Sequence, residues 1–381
     1  MVKTIFNITS ESEFQASCLE TFRYQYESVE VYRKFVDYLN IDPNEIQEIE
    51  KIPFLPIEMF KNHLVLDKNS KAEHYFQSSG TTQMTVRSKH FIADFSLYEE
   101  SIYKSFEQFI GKPENFIFLG LLPNYSENQH SSLIYMVDYL MKKSGKKENG
   151  YFLYNHAELF DLLHGLKDKK VILFGVSFAL LDFLDFLKEN TSGLPDFQTS
   201  GLSIIETGGM KGRKAEMTKD ELLTIFKSGF KTEHIYSEYS MTELLSQAYS
   251  LGENRYDCPN WMRILIRNTE DPFSYVEEGK TGAINIIDLA NRHSCSFIAT
   301  QDLGKIVNEI PREASNDDVI LREPQHGIQD PNCLKGQHNI GESNYKNPES
   351  KSDYNTSQNR KFQVLGRIDH SDIRGCSLLV S

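Results

Sequence analysis

From Phe116 onward, short apolar runs with strand character alternate with amphipathic runs of helical period, and nothing else in the chain restricts its fold so strongly. The strand-like runs are Phe116 to Leu122, Val171 to Val176, Leu202 to Glu206 and His234 to Ser237; the helical ones are Ser131 to Lys143, Glu158 to Leu166, Phe178 to Lys188 and Lys219 to Phe226. Strands apolar on both faces need cover on both faces, and the intervening helices supply it, so this order predicts an α/β fold with mixed or parallel sheets flanked by helices. Upstream, Phe14, Cys18, Phe22, Tyr26 and Val29 recur at steps of three and four residues, which predicts one long helix from Glu11 to Leu39, stopped by Asp42 and Pro43. Ile52 to Phe60 reads as extended, because each proline biases its predecessor away from helix.

Beyond Trp261 the runs shorten to Met262–Ile266, Gly282–Leu289, Phe297–Thr300 and Phe362–Ile368, which predicts a small β-rich subdomain. Between Pro311 and Arg360 only ten of fifty residues are apolar, with seven Asn and four Pro. Such a segment buries too little apolar surface to offset its ordering entropy, so a disordered polar insertion is expected there. The implied organisation is an N-terminal helical region (1–50), an α/β core (51–260), a β-rich subdomain (261–310 and 361–381) and the insertion (311–360).

Charge and cysteine usage narrow the function. With 41 Lys and Arg against 54 Asp and Glu, the net charge of −13 repels polyanions and argues against a nucleic-acid binder held by phosphate contacts. The most apolar run, Val171 to Leu187, carries Asp182 and Asp185 and falls short of the ~20 apolar residues of a bilayer span. The first residues lack the apolar core of a signal peptide, so a cytoplasmic protein is expected. Its five cysteines, Cys18, Cys258, Cys295, Cys333 and Cys376, are scattered without CxxC or zinc-ligand spacing and read as free thiols.

Four short motifs carry the chemistry. Gln77-Ser78-Ser79-Gly80-Thr81-Thr82-Gln83 groups small hydroxylated residues around a glycine, with Arg87, Lys89 and His90 downstream. Hydroxyl and backbone N–H donors on such a loop can wrap phosphate oxygens, although the run also suits a plain polar turn. Ser237-Glu238-Tyr239-Ser240-Met241-Thr242-Glu243 directly follows a strand, the place where ligands collect in open α/β sheets. Alone, Glu243 reads more often as a first-turn carboxylate of a helix from Leu244 to Tyr249 than as a functional group. Thr300-Gln301-Asp302-Leu303-Gly304 puts an Asp at an expected strand end, and Leu365-Gly366-Arg367-Ile368-Asp369-His370-Ser371-Asp372-Ile373-Arg374-Gly375 offers an Arg; Asp-Leu-Gly and Gly-Arg are ordinary turn sequences by themselves.

Together, in this order, the four resemble the adenylate-forming superfamily, and within it the acyl-protein synthetases of the LuxE type, with phenylacetate-CoA ligases as more distant relatives. Ser78 to Thr82 is similar to the superfamily's phosphate loop, with Gln83 in place of its closing Gly; Tyr239 to Glu243 is similar to its Y-G-x-T-E motif, with Ser240 in place of Gly. Asp302 corresponds to the ribose-binding Asp, Arg367 with Asp369 to the G-R-x-D hinge, and Ile204 to Gly212, with Gly208 and Gly209, to the nucleotide-binding strand-loop. The resemblance implies the N-terminal domain of an adenylate-forming enzyme without the usual C-terminal lid domain. It implies ATP and Mg²⁺ as cofactors, with Glu243 on the metal, Thr242 on the α-phosphate, Tyr239 against adenine and Asp302 on the ribose. The substrate would be a carboxylic, and by that resemblance fatty, acid, activated as an acyl-adenylate. A thiol would then take the acyl group: Cys376, six residues from the end beside Arg374, or a thiol on a carrier or reductase partner.

Two other readings stand beside it. Gly175-Val176-Ser177-Phe178-Ala179 has the strand-to-helix context of a hydrolase nucleophile elbow, which would make Ser177 the nucleophile of an acyl hydrolase or transferase, with His90, His130, His156 or His234 as base. A degenerate adenylation fold acting only as a binding partner is the other. The acid would lie near Leu119–Asn124, Ser131–Met136 and Gly175–Phe178.

Overall fold

The computed structural model describes residues 2–72, 74–79, 86–123, 126–190, 201–208, 217–308 and 360–368. Gly80, Thr81, Thr82, Gly209, Asp369, Cys333, Cys376 and residues 311–359 of the polar insertion lie outside the described residues.

Within the described residues the strands are β1 (Leu55–Pro56), β2 (His74–Gln77), β3 (Lys89–Ile92), β4 (Ile117–Leu121), β5 (Gly150–Tyr151), β6 (Val171–Val176), β7 (Leu202–Thr207), β8 (Ile235–Tyr239), β9 (Ala248–Ser250), β10 (Tyr256–Asp257), β11 (Met262–Arg267), β12 (Gly282–Asp288), β13 (Phe297–Asn308) and β14 (Arg360–Arg367). The α-helices are α1 (Glu11–Ser28), α2 (Glu30–Tyr38), α3 (Met59–Asn62), α4 (Phe95–Phe109), α5 (Ser132–Ser144), α6 (His156–Gly165), α7 (Ser177–Asn190) and α8 (Lys219–Phe230). One large sheet runs in the order β11-β12-β13-β14-β10-β9-β8-β7-β6-β4-β5, with β1 paired to β13, while β2 and β3 form a separate hairpin.

This sheet has two halves. β5, β4, β6, β7 and β8 pair in parallel, and the predicted helices pack against them: α5 on β4, α7 on β6 and β7, α8 on β8. Every residue of β4 and β6 is buried, as continuous apolar runs require. From β8 to β11 successive strands along the sheet pair antiparallel, and only the two-residue β1 joins that half in parallel, on β13. β14 enters between β10 and β13, so the strand after the polar insertion returns to the middle of the sheet.

Three expectations are corrected. The long N-terminal helix is two helices, broken at Val29, which is extended (φ −100°, ψ 101°) and serves as C-cap of α1 and N-cap of α2. The break lets both helices reach one core: Phe22 of α1 and Tyr32 of α2 pack on Phe297 at the start of β13, at ring separations of 6.4 and 6.2 Å. The strand beginning at Phe297 does not end at Thr300 but continues to Asn308, because β14 supplies a partner along its far half. No helix follows Glu243; the segment leads into β9.

Candidate active site

Three parallel strands end side by side with polar residues, because the register sets Val176 opposite Thr207 and Thr207 opposite Glu238. Ser177, next along the chain after β6, is fully buried and donates from Oγ to Glu206 Oε2 at 2.9 Å. Lys219, at the capped start of α8, forms an ion pair with the other oxygen of Glu206 and lies 5.9 Å from the centre of the Tyr256 ring. Burial works against the Lys219 charge, but Glu206 overrides it and holds the ammonium above its ordinary value. Thr207 donates to the buried Glu238 carboxylate, whose pKa burial raises. Gly208, left-handed at φ 71°, begins the loop expected to meet nucleotide.

At the end of β8 the site crosses into the antiparallel half. The Tyr239 hydroxyl donates to Asp302 Oδ2 at 2.9 Å, and Arg367 Nε donates to Asp302 Oδ1 at 3.0 Å. Asp302 and Arg367 face each other across β13 and β14, so two motifs 65 residues apart meet by strand pairing. Beside them the register shifts between Leu303 and Gly304. A Cβ at Gly304 would stand 2.6 Å from the Gln363 carbonyl, so Gly304 serves this close approach of the strands, while Gly366 takes φ 148°, a backbone conformation that side chains rarely adopt. Tyr239 is buried against Phe362 at 5.5 Å and Tyr256 at 5.8 Å, and Arg367 is the solvent-facing member, its side chain 75% exposed.

Glu243 is buried, and burial raises its pKa, while a hydrogen bond from Ser88 and the charges of Arg367 and Lys61 draw it back. Ser88 also closes the mouth of the first motif: its carbonyl accepts from Ser78 N at 3.1 Å and its N–H donates to Ser78 Oγ at 3.2 Å. Ser79 is exposed beside it. Two residues further, on β3, the buried His90 donates from Nδ1 to the Thr242 carbonyl at 2.9 Å. Ser78, Thr242 and Glu243 therefore belong to one neighbourhood.

Sequence reasoning missed the residues behind these. Asp288 accepts from Leu245 N, Ser246 N, Ser246 Oγ and Ala290 N, pinning the stretch after Glu243, and Asn291 donates to the Glu243 carbonyl at 2.7 Å. Glu206 and Asp288 each stand at or next to the end of a largely apolar strand, and a charge in that position needs buried partners. That signal was available.

Ser177 does not have the setting of a nucleophile, since its hydroxyl is buried and committed to Glu206. Of the histidines named as its base, His90 pairs with Thr242, His130 with the Tyr75 carbonyl and His234 with Tyr236, while His156 packs against Phe183 and Phe186 with its Nε2 buried and without a hydrogen-bond partner among the described residues. Cys18 and Cys295 are buried and Cys258 half-buried, and burial pushes all three thiols up, Cys295 to about 12.

Residues 7–96, which carry α1, α2 and the hairpin under the first motif, match the acyl-protein synthetase family, LuxE. Among solved structures, the chain is similar to 2-hydroxyisobutyryl-CoA ligase in an open conformation with 2-HIB-AMP and CoA, at a TM-score of 0.59 and 12% identity over 78% of this chain and 65% of that one. The same ligase in its postadenylation state with R3-HIB-AMP gives a TM-score of 0.58 at 12% identity, over 78% of this chain and 64% of that one. The fold is that of an adenylate-forming ligase. The LuxE resemblance read from the motifs is borne out, and the chain spans just under two thirds of the length of the ligases it matches. No curated protein sequence matches it.

Proposed function

We propose that this protein activates a carboxylic acid with ATP as an acyl-adenylate and passes the acyl group to a thiol. The observation that carries the reading is Asp302, a carboxylate 7% exposed, held between the Tyr239 hydroxyl and Arg367 beside the carboxyl end of β8, with Glu243 within the electrostatic reach of Arg367. Asp302 is suited to accept two ribose hydroxyls, Arg367 to span ribose and phosphate, and the donors at Ser78 and Ser79, continuing through Gly80 to Thr82, to hold phosphate oxygens. Tyr239 is the group for the base side, with Gly208 at the start of the neighbouring loop, and Thr242 donates to the α-phosphate.

In the first step a carboxylate oxygen attacks the α-phosphorus, the bond to the bridging oxygen breaks, and pyrophosphate leaves with that electron pair. In the second a thiolate attacks the acyl carbon and AMP leaves. The protein's part in the first is positioning and charge neutralisation. Among the described residues no group of three His, Cys, Asp or Glu could hold a metal. Glu243 fits Mg²⁺ as a single protein ligand, since a buried carboxylate of raised pKa gains from a cation and Mg²⁺ is commonly held by one or two carboxylates plus substrate phosphates. Bound there, Mg²⁺ would neutralise phosphate charge.

For the second step the described cysteines, held as thiols by burial, are poorly placed, which favours Cys376 or an external thiol on a carrier or reductase partner. A fatty acid as substrate and a cytoplasmic setting complete the proposal; among the described residues no helix is long and apolar enough to cross a membrane. The test is pyrophosphate release across a panel of carboxylic acids that includes fatty acids. Asp302→Ala should weaken ATP by about 10- to 100-fold and Glu243→Gln should lower turnover without unfolding the chain. Labelled acid should give a hydroxylamine-sensitive adduct that Cys376→Ser abolishes. Unchanged release in both site variants would remove the assignment, and acylation of an external thiol alone would move the acceptor off Cys376.

A further inference from the structure

Asp302 does not stand in a regular ladder. β12 and β13 pair Asn285 with Ala299, then Ala283 with Leu303, so the chain takes four steps along β13 against two along β12. The ladder cannot pair every carbonyl in such a stretch, and a bulge of this kind redirects the side chains it contains.

The guanidinium of Arg267, the last residue of β11, fills the gap. Its Nη1 donates to the Ile284 carbonyl at 3.0 Å and to Asn285 Oδ1 at 2.8 Å, and its Nη2 donates to the Thr300 carbonyl at 2.6 Å. Thr300 Oγ1 donates to the same Ile284 carbonyl at 2.8 Å and accepts from the Asp302 N–H at 3.1 Å. Arg267 is thus connected to the backbone of Asp302 by a short run of hydrogen bonds through Ile284 and Thr300, both buried. All three acceptors of the guanidinium are uncharged. Burial pulls its pKa below the ordinary value, against the stabilising charge of Glu58. A cation kept half-buried for neutral acceptors is costly unless those acceptors need bridging, and a planar fork bridges two carbonyls where an ammonium does not.

We propose that Arg267 is a positioning residue: by bridging the Ile284 and Thr300 carbonyls it fixes the bulge that aims the Asp302 carboxylate, and thereby sets the selectivity of the site for the ribose hydroxyls. The inference rests on the nucleotide-binding reading of Asp302. Arg267 also borders a cavity of about 730 Å³ together with Phe54, Glu58, Tyr275 and Gln301, so water can reach the bulge carbonyls when the guanidinium is removed, and Arg267→Met should fold.

The test compares ATP, 2′-deoxy-ATP and 3′-deoxy-ATP in pyrophosphate release by the wild type, Arg267→Met, Arg267→Lys and Asp302→Ala. In Arg267→Met the KM for ATP should rise about tenfold and discrimination against the deoxy nucleotides should collapse, while the KM for the acid stays within about twofold. Arg267→Lys should recover stability but not discrimination. A double-mutant cycle of Arg267→Met with Asp302→Asn, read by urea unfolding, needs no activity and should show coupling of about five- to tenfold in the unfolding equilibrium constant. Wild-type discrimination in folded Arg267→Met, or an additive cycle, overturns the inference. A coupled cycle in a chain that releases no pyrophosphate supports the positioning role and counts against the nucleotide reading instead.

Discussion

Two cations in this molecule each pair with a buried carboxylate, one in each half of the sheet. In the parallel half Lys219 meets Glu206 with its own side chain only 18% exposed; in the antiparallel half Arg367 meets Asp302 with its side chain 75% exposed. The carboxylates arrive differently too. Glu206 comes at the carboxyl end of a regular parallel strand, whereas Asp302 lies inside a long strand with register irregularities on both of its edges. A regular strand end sets backbone and side chain together, so its charge can serve as structure. A bulge leaves a carboxylate aimed but incompletely enclosed, which suits a group that must meet a ligand.

That contrast is broken most directly by removing each cation. Lys219→Met strands the Glu206 charge inside the protein and should cost about 3–5 kcal/mol of stability, most of it recovered in the double variant with Glu206→Gln. Arg367→Met takes away a largely exposed partner and should cost at most about 1 kcal/mol, while weakening nucleotide binding. Urea unfolding of the variants measures both. Equal losses of stability would show that the two halves hold their charges in the same way.

His90 sits where the halves meet, reaching from β3 to Thr242, with Phe60 edge-on at 5.7 Å and Asn291 as a further side-chain partner. Burial lowers its pKa from the ordinary 6.5 to about 4. Between those values the unfolded chain binds a proton that the folded chain refuses, so stability is full above about 6.5 and falls as pH drops towards 4. Over the whole window the loss is about 3 kcal/mol. His90→Asn, which can still donate to Thr242, should flatten this part of the pH dependence relative to wild type. Parallel profiles for the two proteins would mean that the ring does not titrate as its burial requires.

The same division governs how much was legible beforehand. β6 was readable to the residue, α5 and α7 to within two residues and α8 at its start, because each is written in local periodicity and α5 and α8 open on side-chain caps, Ser131 and Thr218; α8 runs one turn further, to Phe230. Asp302 and Arg367 were readable as motif members, but their contact was not, because it depends on β14 returning to the sheet across residues 309–359. The bulge escaped for a related reason: it exists only in the pairing of β12 with β13, and Thr300-Gln301-Asp302 reads locally as a strand end. The Val29 break escaped because both helices keep apolar spacing across it, and only their common packing on Phe297 shows the change of direction.

The finest test concerns the bond that joins the halves. The Tyr239 hydroxyl reaches from the end of β8 to Asp302, while the ring packs against Phe362 and Tyr256. Tyr239→Phe keeps that packing and deletes one hydrogen bond to a carboxylate, which should cost about 1.5 kcal/mol in stability. What it does to nucleotide selectivity separates two ways of holding Asp302. If the bulge aims the carboxylate, the backbone of β13 already sets its direction, Arg367 still occupies Oδ1, and discrimination between ATP and its deoxy forms should fall by no more than about threefold, well short of the collapse expected for Arg267→Met. If instead the parallel half aims it through Tyr239, the two variants should lose discrimination to the same extent. Measuring both under one set of conditions decides whether the antiparallel half presents Asp302 by itself or only with the support of β8.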